Sequence, residues 1–243
     1  MKPKVCLIGH GVWGKVLYKR LKTISNVIHI LDSKNYSFKK IKDADWVLIA
    51  TPNKTHYKII IDSIRLKKNV LCEKPLVINY SQAKILYNFA KKNNVKLIVS
   101  DLSEYKKKID ISSRLNVFKR FKNSPKDKNL TIKRFDLLYR YAYHDIEYIY
   151  DHIKNKKLNL IKINCSEKIL DFTLKFNKTS FSFIYNTQSN KKIHTFNNKN
   201  LNQKKDIIKK MLHDHMIKKN TYIRNKKKSL FIIKILERIK LKI

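Results

Sequence analysis

The chain holds three glycines in 243 residues, Gly9, Gly11 and Gly14, and all of them fall in the opening run VCLIGHGVWGKVLYKRL. At an average use near 7%, a chain of this length carries about 17, so almost every turn in this protein is made without glycine. Lys, Asn and Ile crowd the sequence while Gly, Pro and Ala are scarce, the bias expected of an AT-rich coding sequence. Under that bias glycine persists where a Cβ is not tolerated, at a positive φ or where a backbone must touch something closely.

The order of elements around these glycines is specific. An apolar strand (KVCLI), a G-x-G-x-x-G turn and an amphipathic helix (VWGKVLYKRLKTI) together form the context of a dinucleotide-binding turn. In that design Gly9 makes the tight turn, Gly11 lets a pyrophosphate approach the backbone, and Gly14 lets helix and strand pack closely. The helix N-terminus then offers unpaired N–H groups and a positive dipole end to the phosphates. The next strand, NVIHILD, ends in Asp32, 18 residues after Gly14, where a carboxylate meets a ribose 2′-hydroxyl and repels a 2′-phosphate. NAD is therefore expected over NADP, a preference that Ser33 and Lys34 soften. A glycine turn between a core strand and a helix is the plain alternative. The strand, the helix, Asp32 and the scarcity of glycine elsewhere jointly favour a cofactor.

Length and composition bound the rest. At 243 residues and 43% hydrophobic, the chain buries a core as one large or two small domains. Cys6, Cys72 and Cys165 are odd in number and widely spaced, which suggests neither a disulfide framework nor a zinc cluster. The start enters a strand almost at once, and no apolar run approaches the roughly 18 residues of a membrane span, so the expected compartment is the cytoplasm. A net charge of +38 raises nucleic acid as a partner, but the excess is spread, +15 over residues 1–100 and +23 over 101–243. Codon bias toward lysine accounts for it. No specific nucleic-acid binding is expected, only a general attraction of anionic substrates.

Residues 1–100 alternate as βαβ units. After NVIHIL come DADWVLIA (strand), TPNKTHYKIIIDSIRL (helix, with Asn53 or Thr55 as cap), NVLC (strand), SQAKILYNFAKKN (helix) and VKLIVS (strand). This is a doubly wound parallel sheet, an α/β Rossmann domain over 1–100. Pro52 and Pro75 fall at carboxyl ends of strands, where such sheets bind ligands.

IATPNKTHY at 49–57 and NVLCEKPL at 69–76, behind the glycine turn, resemble the Gfo/Idh/MocA family of nicotinamide-dependent oxidoreductases, whose signature Glu73-Lys74-Pro75 matches. GVWGK resembles the turn of that family's nucleotide-sugar branch. The resemblance implies that Val12, Trp13, Thr51, Pro52, Asn53, His56, Glu73 and Lys74 join the glycines and Asp32 around the cofactor. It also implies that 101–243 is a reduced α+β domain, with a mostly antiparallel sheet that shapes the substrate site and supports a homo-oligomer.

DLLYRYAYHDIEYIYDHI, residues 136–153, resembles the family segment in which a histidine opens a helix facing the nicotinamide, which places that histidine at His144. Many relatives carry an aspartate one turn before it, where this chain has Arg140. Arginine depresses an imidazole pKa and grips anions. Arg140 and Tyr143 are thus substrate candidates, and Lys74 and His144 the catalytic pair, with Tyr139, Tyr141 and Tyr143 as other proton acceptors. Farther on, LDFTLKF and SFSFIYN alternate around Asn177-Lys178-Thr179 as a hairpin with Phe172, Leu174 and Phe176 on one face, and SLFIIKILERIKLKI reads as a helix capped by Ser229. His56 serves equally as a capping-turn residue. His213 and His215, two apart, diverge on a helix and imply no metal. Two functions stay open: an NAD-dependent dehydrogenase of a sugar or nucleotide sugar, in surface polysaccharide biosynthesis by resemblance, and a noncatalytic dinucleotide-binding regulator.

Overall fold

A computed structural model describes residues 2–106, 108–121, 137–166, 168–201, 206–217 and 222–243. The chain forms two units: Met1–Tyr105 with Asp206–Ile233, and Lys106–Lys205 with Lys234–Ile243. The boundary read at residue 100 lies near the first crossing, and Asp206–Ile233 then rejoins the first unit.

The first unit is a parallel five-stranded sheet of order β2-β1-β3-β4-β5, built from β1 (Lys4–Ile8), β2 (Asn26–Leu31), β3 (Trp46–Ile49), β4 (Asn69–Cys72) and β5 (Leu97–Val99). The crossovers carry helices α1 (Val12–Ile24), α2 (Phe38–Lys42), α3 (Asn53–Arg65) and α4 (Tyr80–Lys92). Gly14, Leu17, Leu21 and Ile24 recur at helical spacing and form the buried stripe of α1. All four residues of β3 are buried because helices cover both sheet faces. Asn79 caps α4 by accepting the Gln82 N–H at 2.9 Å. At α3 the expected cap is corrected: Pro52 holds the N-cap position and no side chain caps the helix, while Asn53 is already its first residue.

Helix α6 (Ile207–Met216; α5 belongs to the second unit) places Met211, Leu212 and Met216 among Leu17, Leu21 and Trp46, which is why this distant segment joins the first core. Helix α7 spans Tyr222–Lys240. Ser229 is buried in its middle, a correction to its reading as a cap, and Lys226, Lys227 and Lys228 lie inside the helix. One of them, Lys228, is buried and donates to Asp101 Oδ2 at 2.5 Å. Asn225 does a strand's work at the open edge of β5: its Oδ1 accepts the Val99 N–H at 2.9 Å and its Nδ2 donates to the Val99 carbonyl at 2.8 Å. The apolar stripe expected of this helix includes Ile232, Ile233, Leu236 and Ile239, all buried in protein.

The second unit is a six-stranded sheet of order β11-β10-β6-β9-β8-β7: β6 (Leu115–Phe121), β7 (Leu158–Cys165), β8 (Ile169–Phe176), β9 (Thr179–Asn186), β10 (Ile193–Phe196) and β11 (Lys199–Asn200). It is antiparallel except where β6 meets β9. The expected hairpin closes with Phe176 opposite Thr179, and Asn177 at φ 56° takes the left-handed place that glycine usually fills. Phe172, Leu174 and Phe176 share the buried face with Phe181, Phe183 and Tyr185. Phe183 stacks on Phe172 at 4.7 Å and on Phe118 at 5.2 Å. Helix α5 (Tyr143–Ile153) follows a π-type turn over Leu138–Ala142 and packs on this face through Tyr148 and His152. Asp136, first in the segment that carries the histidine, lies outside the described residues.

Candidate functional site

Four strand ends bring the first unit's candidate residues to one edge. The N–H of Gly9 donates to the Leu31 carbonyl, Ala50 to Ile8, Glu73 to Ile49 and Ser100 to Cys72, at 2.7–2.9 Å. Strand order reverses between β1 and β3, so Gly9 and Thr51 flank the switch point where open α/β sheets bind ligands.

The three glycines answer to different causes. Gly9 sits at φ +99°, and a Cβ there meets the Ala50 backbone at 2.6 Å. A Cβ on Gly14 lies 2.0 Å from the Gly9 carbonyl oxygen, so this helix and turn touch only because both residues lack one. Gly11 is different. Its φ of −70° and ψ of −165° suit any residue, and nothing stands within 4 Å of its missing Cβ. The protein's own packing gives no reason for glycine there, whereas a ligand brought against the first turn of α1 does. The residues present thus fit a dinucleotide.

Around that turn the side chains are braced by one another. Glu73 accepts from the Trp13 indole and the Ser100 hydroxyl, and its carboxyl is pushed above the ordinary value by burial, against the pull of these donors and of Lys74. Val12 is exposed, and Trp13 partly so. Asp32 Oδ1 accepts the Lys34 and Asn35 N–H groups at 2.8 and 3.2 Å, which holds the carboxylate at the end of β2 while Oδ2 stays outside that turn. Asn53 Nδ2 donates to the Pro75 carbonyl at 2.9 Å. His56 is buried, its Nδ1 3.0 Å from the Pro75 oxygen and its Nε2 2.9 Å from the Thr51 oxygen. Its ring ties the Thr51-Pro52 loop to the turn carrying half-buried Lys74, a strut where sequence suggested a ligand contact or a cap. Thr55 donates to Thr51 Oγ1 or the Pro52 carbonyl, both at 2.8 Å. Cys6 and Cys72 are core thiols, Cys6 pushed up to about 12 by burial.

His144, Arg140 and Tyr143 belong to the second unit. Arg140 is exposed and Tyr143 is buried in the core. His144 Nδ1 lies 3.1 Å from Glu147 Oε2, whose side chain is 1% exposed. An ionised Glu147 carboxylate accepts from Nδ1–H, the contact through which Glu147 orients the ring. Sequence reasoning looked for the orienting carboxylate one turn before His144, found Arg140, and missed Glu147 three residues after it. The H-x-x-E spacing on a helix was the available signal.

Beneath α5, Asp145 is fully buried, and its Oδ1 meets Arg120 Nη2 and His194 Nε2, each at 2.9 Å. Burial alone pushes the Asp145 carboxyl up, but Arg120 and His194 hold it below the usual range. Burial and Arg120 hold His194 low, against the pull of Asp145. No local signal links these residues, which stand 25 and 49 positions apart. Among the described residues no group of three or more potential metal ligands occurs, and no helix is long and apolar enough to cross a membrane.

Residues 18–101 match the family model described as oxidoreductase family, NAD-binding Rossmann fold (Gfo/Idh/MocA). Over these residues the chain is similar to that family. The match begins just after the glycine turn, which completes the NAD-binding Rossmann domain on its N-terminal side. Among curated relatives, an uncharacterized oxidoreductase of Streptococcus pneumoniae is 32% identical over 63 residues, 26% of this chain and 17% of that protein. Oxidoreductase P35 of Formosa agariphila is 43% identical over 54 residues, 22% of this chain and 17% of that protein. The aligned stretches thus span about one sixth of these relatives. The fold likeness covers the chain. UDP-N-acetylglucosamine 3-dehydrogenase GnnA of Acidithiobacillus ferrooxidans superposes with a TM-score of 0.82 at 12% identity, over 99% of this chain and 97% of that one. WlbA dehydrogenase of Thermus thermophilus, solved with NAD and UDP-GlcNAcA, gives 0.76 at 11% identity over 97% and 94%.

Proposed function

We propose that the protein is an NAD-dependent oxidoreductase acting on a secondary hydroxyl or carbonyl of a sugar or nucleotide sugar. The observation that carries this reading is the open space at Gly11, where packing asks for no glycine and a ligand against the first turn of α1 would. Support for the sugar class comes from the whole-chain likeness to dehydrogenases named for UDP-sugars. A role in surface polysaccharide biosynthesis is part of the same proposal.

NAD, when bound, accepts or returns the hydride at its nicotinamide ring. The chain's own residues supply the rest. The turn Gly9–Gly14 and the first N–H groups of α1 take the pyrophosphate, and Asp32 takes the ribose hydroxyls. His144, oriented by Glu147, receives the hydroxyl proton at Nε2 in the oxidative direction, and Lys74 is the first unit's catalytic candidate. Arg140 holds an anionic group of the substrate.

Nicotinamide absorbance on mixing the protein with NAD and a panel of UDP-sugars tests turnover, while calorimetry of NADH against Gly11→Val tests the cofactor site. Bound NADH without any turnover leaves the second reading, a noncatalytic dinucleotide-binding regulator, which Arg140 in the place of an aspartate favours. Unchanged NADH affinity in a folded Gly11→Val protein removes the cofactor site itself.

A further inference from the structure

A cavity of about 430 Å³ opens within the second unit, between the loop 108–113, α5 and the β10–β11 turn. Its volume lies in the range of small-ligand sites and exceeds what an inorganic anion needs. Tyr148 and Phe196 form its apolar wall. Exposed Lys108 and Lys199 bring two cations to it, against the single carboxylate of Asp110, which Ser112 Oγ approaches at 3.3 Å. The ring of Tyr148 is held in place from outside the cavity by Lys106 Nζ, 4.9 Å above it, and by the edge of His194. Asn197 Oδ1 accepts the Val117 N–H at 2.8 Å and its Nδ2 donates to Asn116 Oδ1 at 3.1 Å, so the turn between the two strands is fixed by its own amide.

The position of Tyr148 matters as much as the lining. It lies four residues after His144 on α5, and side chains so spaced are neighbours on one helix face, with Cβ atoms about 5–6 Å apart. The cavity wall therefore starts one helical turn from the proposed proton acceptor. A substrate whose reacting carbon is at His144 would extend its non-reacting part along α5 into this space. Two cations beside a carboxylate and hydroxyls suit a ligand that is anionic at one point and rich in hydroxyl or N–H donors at another. A nucleoside diphosphate has that make-up, whereas a neutral sugar leaves both lysines unused.

Resting on the dehydrogenase reading, we propose that this cavity holds the nucleoside diphosphate of a nucleotide-sugar substrate, with Lys108 and Lys199 on the phosphates and Asp110 accepting from a hydroxyl or base N–H. The test is calorimetric titration of the full chain with UDP, with NADH present at saturation to occupy the dinucleotide turn. UDP is expected to bind more tightly than uridine. A Lys108→Ala/Lys199→Ala protein should lose about tenfold or more of the UDP affinity, the scale of two lost charge-assisted contacts, with its uridine affinity and thermal midpoint unchanged. No binding of UDP, equal affinity for UDP and uridine, or unchanged UDP affinity in the double variant overturns the assignment. The failure of the enzyme reading looks different: UDP binds and the lysines matter, yet no UDP-sugar is turned over. Where turnover exists, the double substitution should raise KM for UDP-sugars and leave kcat nearly unchanged.

Discussion

The two units build their candidate sites from different materials. In the first, the turn at Gly9–Gly14, the Thr51 and Pro75 carbonyls and the N-terminus of α1 make a site chiefly from backbone, and the side chains around it act as braces. In the second, the groups with chemistry are side chains, His144 on Glu147 and Arg120 with His194 on Asp145. A backbone site is specified by where Cβ atoms are missing, which is a local property. A side-chain site needs buried charges to be paired, and for Asp145 the pairing partners come from elsewhere in the chain.

That contrast can be broken at its strongest point first. Under the dehydrogenase reading, His144→Ala and Lys74→Ala should each lower kcat by roughly 10²–10⁴-fold, the usual range for a positioned proton-transfer group, with far smaller changes in NADH affinity. Activity that survives loss of His144 moves the proton acceptor to Lys74, since Tyr139, Tyr141 and Tyr143 are buried.

Stability tests the second region next. Asp145→Ala strands the Arg120 guanidinium without its carboxylate and should cost about 3–5 kcal/mol in urea unfolding, as removal of one partner of a buried pair does. A cost below about 1 kcal/mol, the scale of an exposed ion pair, would show that the cluster is not held as described.

The glycines sharpen the comparison within the first region. Gly14→Ala presses a Cβ toward the Gly9 carbonyl and should destabilise by about 1–3 kcal/mol or more. Gly11→Ala meets nothing, so its thermal midpoint should match the parent while NADH binding weakens. Equal stability of the two variants would refute the division of labour among the glycines.

The smallest effect is on pH. Asp101 and Asp145 are held below the ordinary carboxylate value, against burial, by Lys228 and by Arg120 with His194. Their contribution is whole above about pH 4 and is lost as pH falls through their lower native values. His194 and His215 are held below the histidine value, chiefly by burial. Their contribution is whole above about pH 6.5 and declines as the unfolded chain takes up protons below it. Unfolding midpoints should therefore drop between about pH 7.5 and 5, and His215→Gln should narrow that drop. An unchanged drop would place the titration elsewhere.

Most elements of residues 1–100 were legible because their causes are short in range, whereas α2 and α6 of the first unit were not read. The stripe Gly14, Leu17, Leu21 and Ile24 and the alternation of strands and helices through VKLIVS need no distant partner to be read. The hairpin around Asn177-Lys178 was legible for the same reason. Ser229 misled because a serine before an apolar run is a fair local start signal, while Lys228 beside it is buried only by virtue of Asp101, 127 residues away.

By itself, then, the sequence determined the α/β order of the first hundred residues, the glycine turn and the acidic end of β2, since each follows from local sterics and periodicity. Tertiary structure alone decided that Gly11 faces open space while Gly9 and Gly14 do not, that His56 is a strut, and that Asp145 pairs with Arg120 and His194. It also decided that 206–233 returns to the first core. The physical reason is that burial and charge pairing are set by which segments meet, and the energy that fixes a buried carboxylate or an empty Cβ position belongs to the meeting of both partners, not to the local stretch that carries either one.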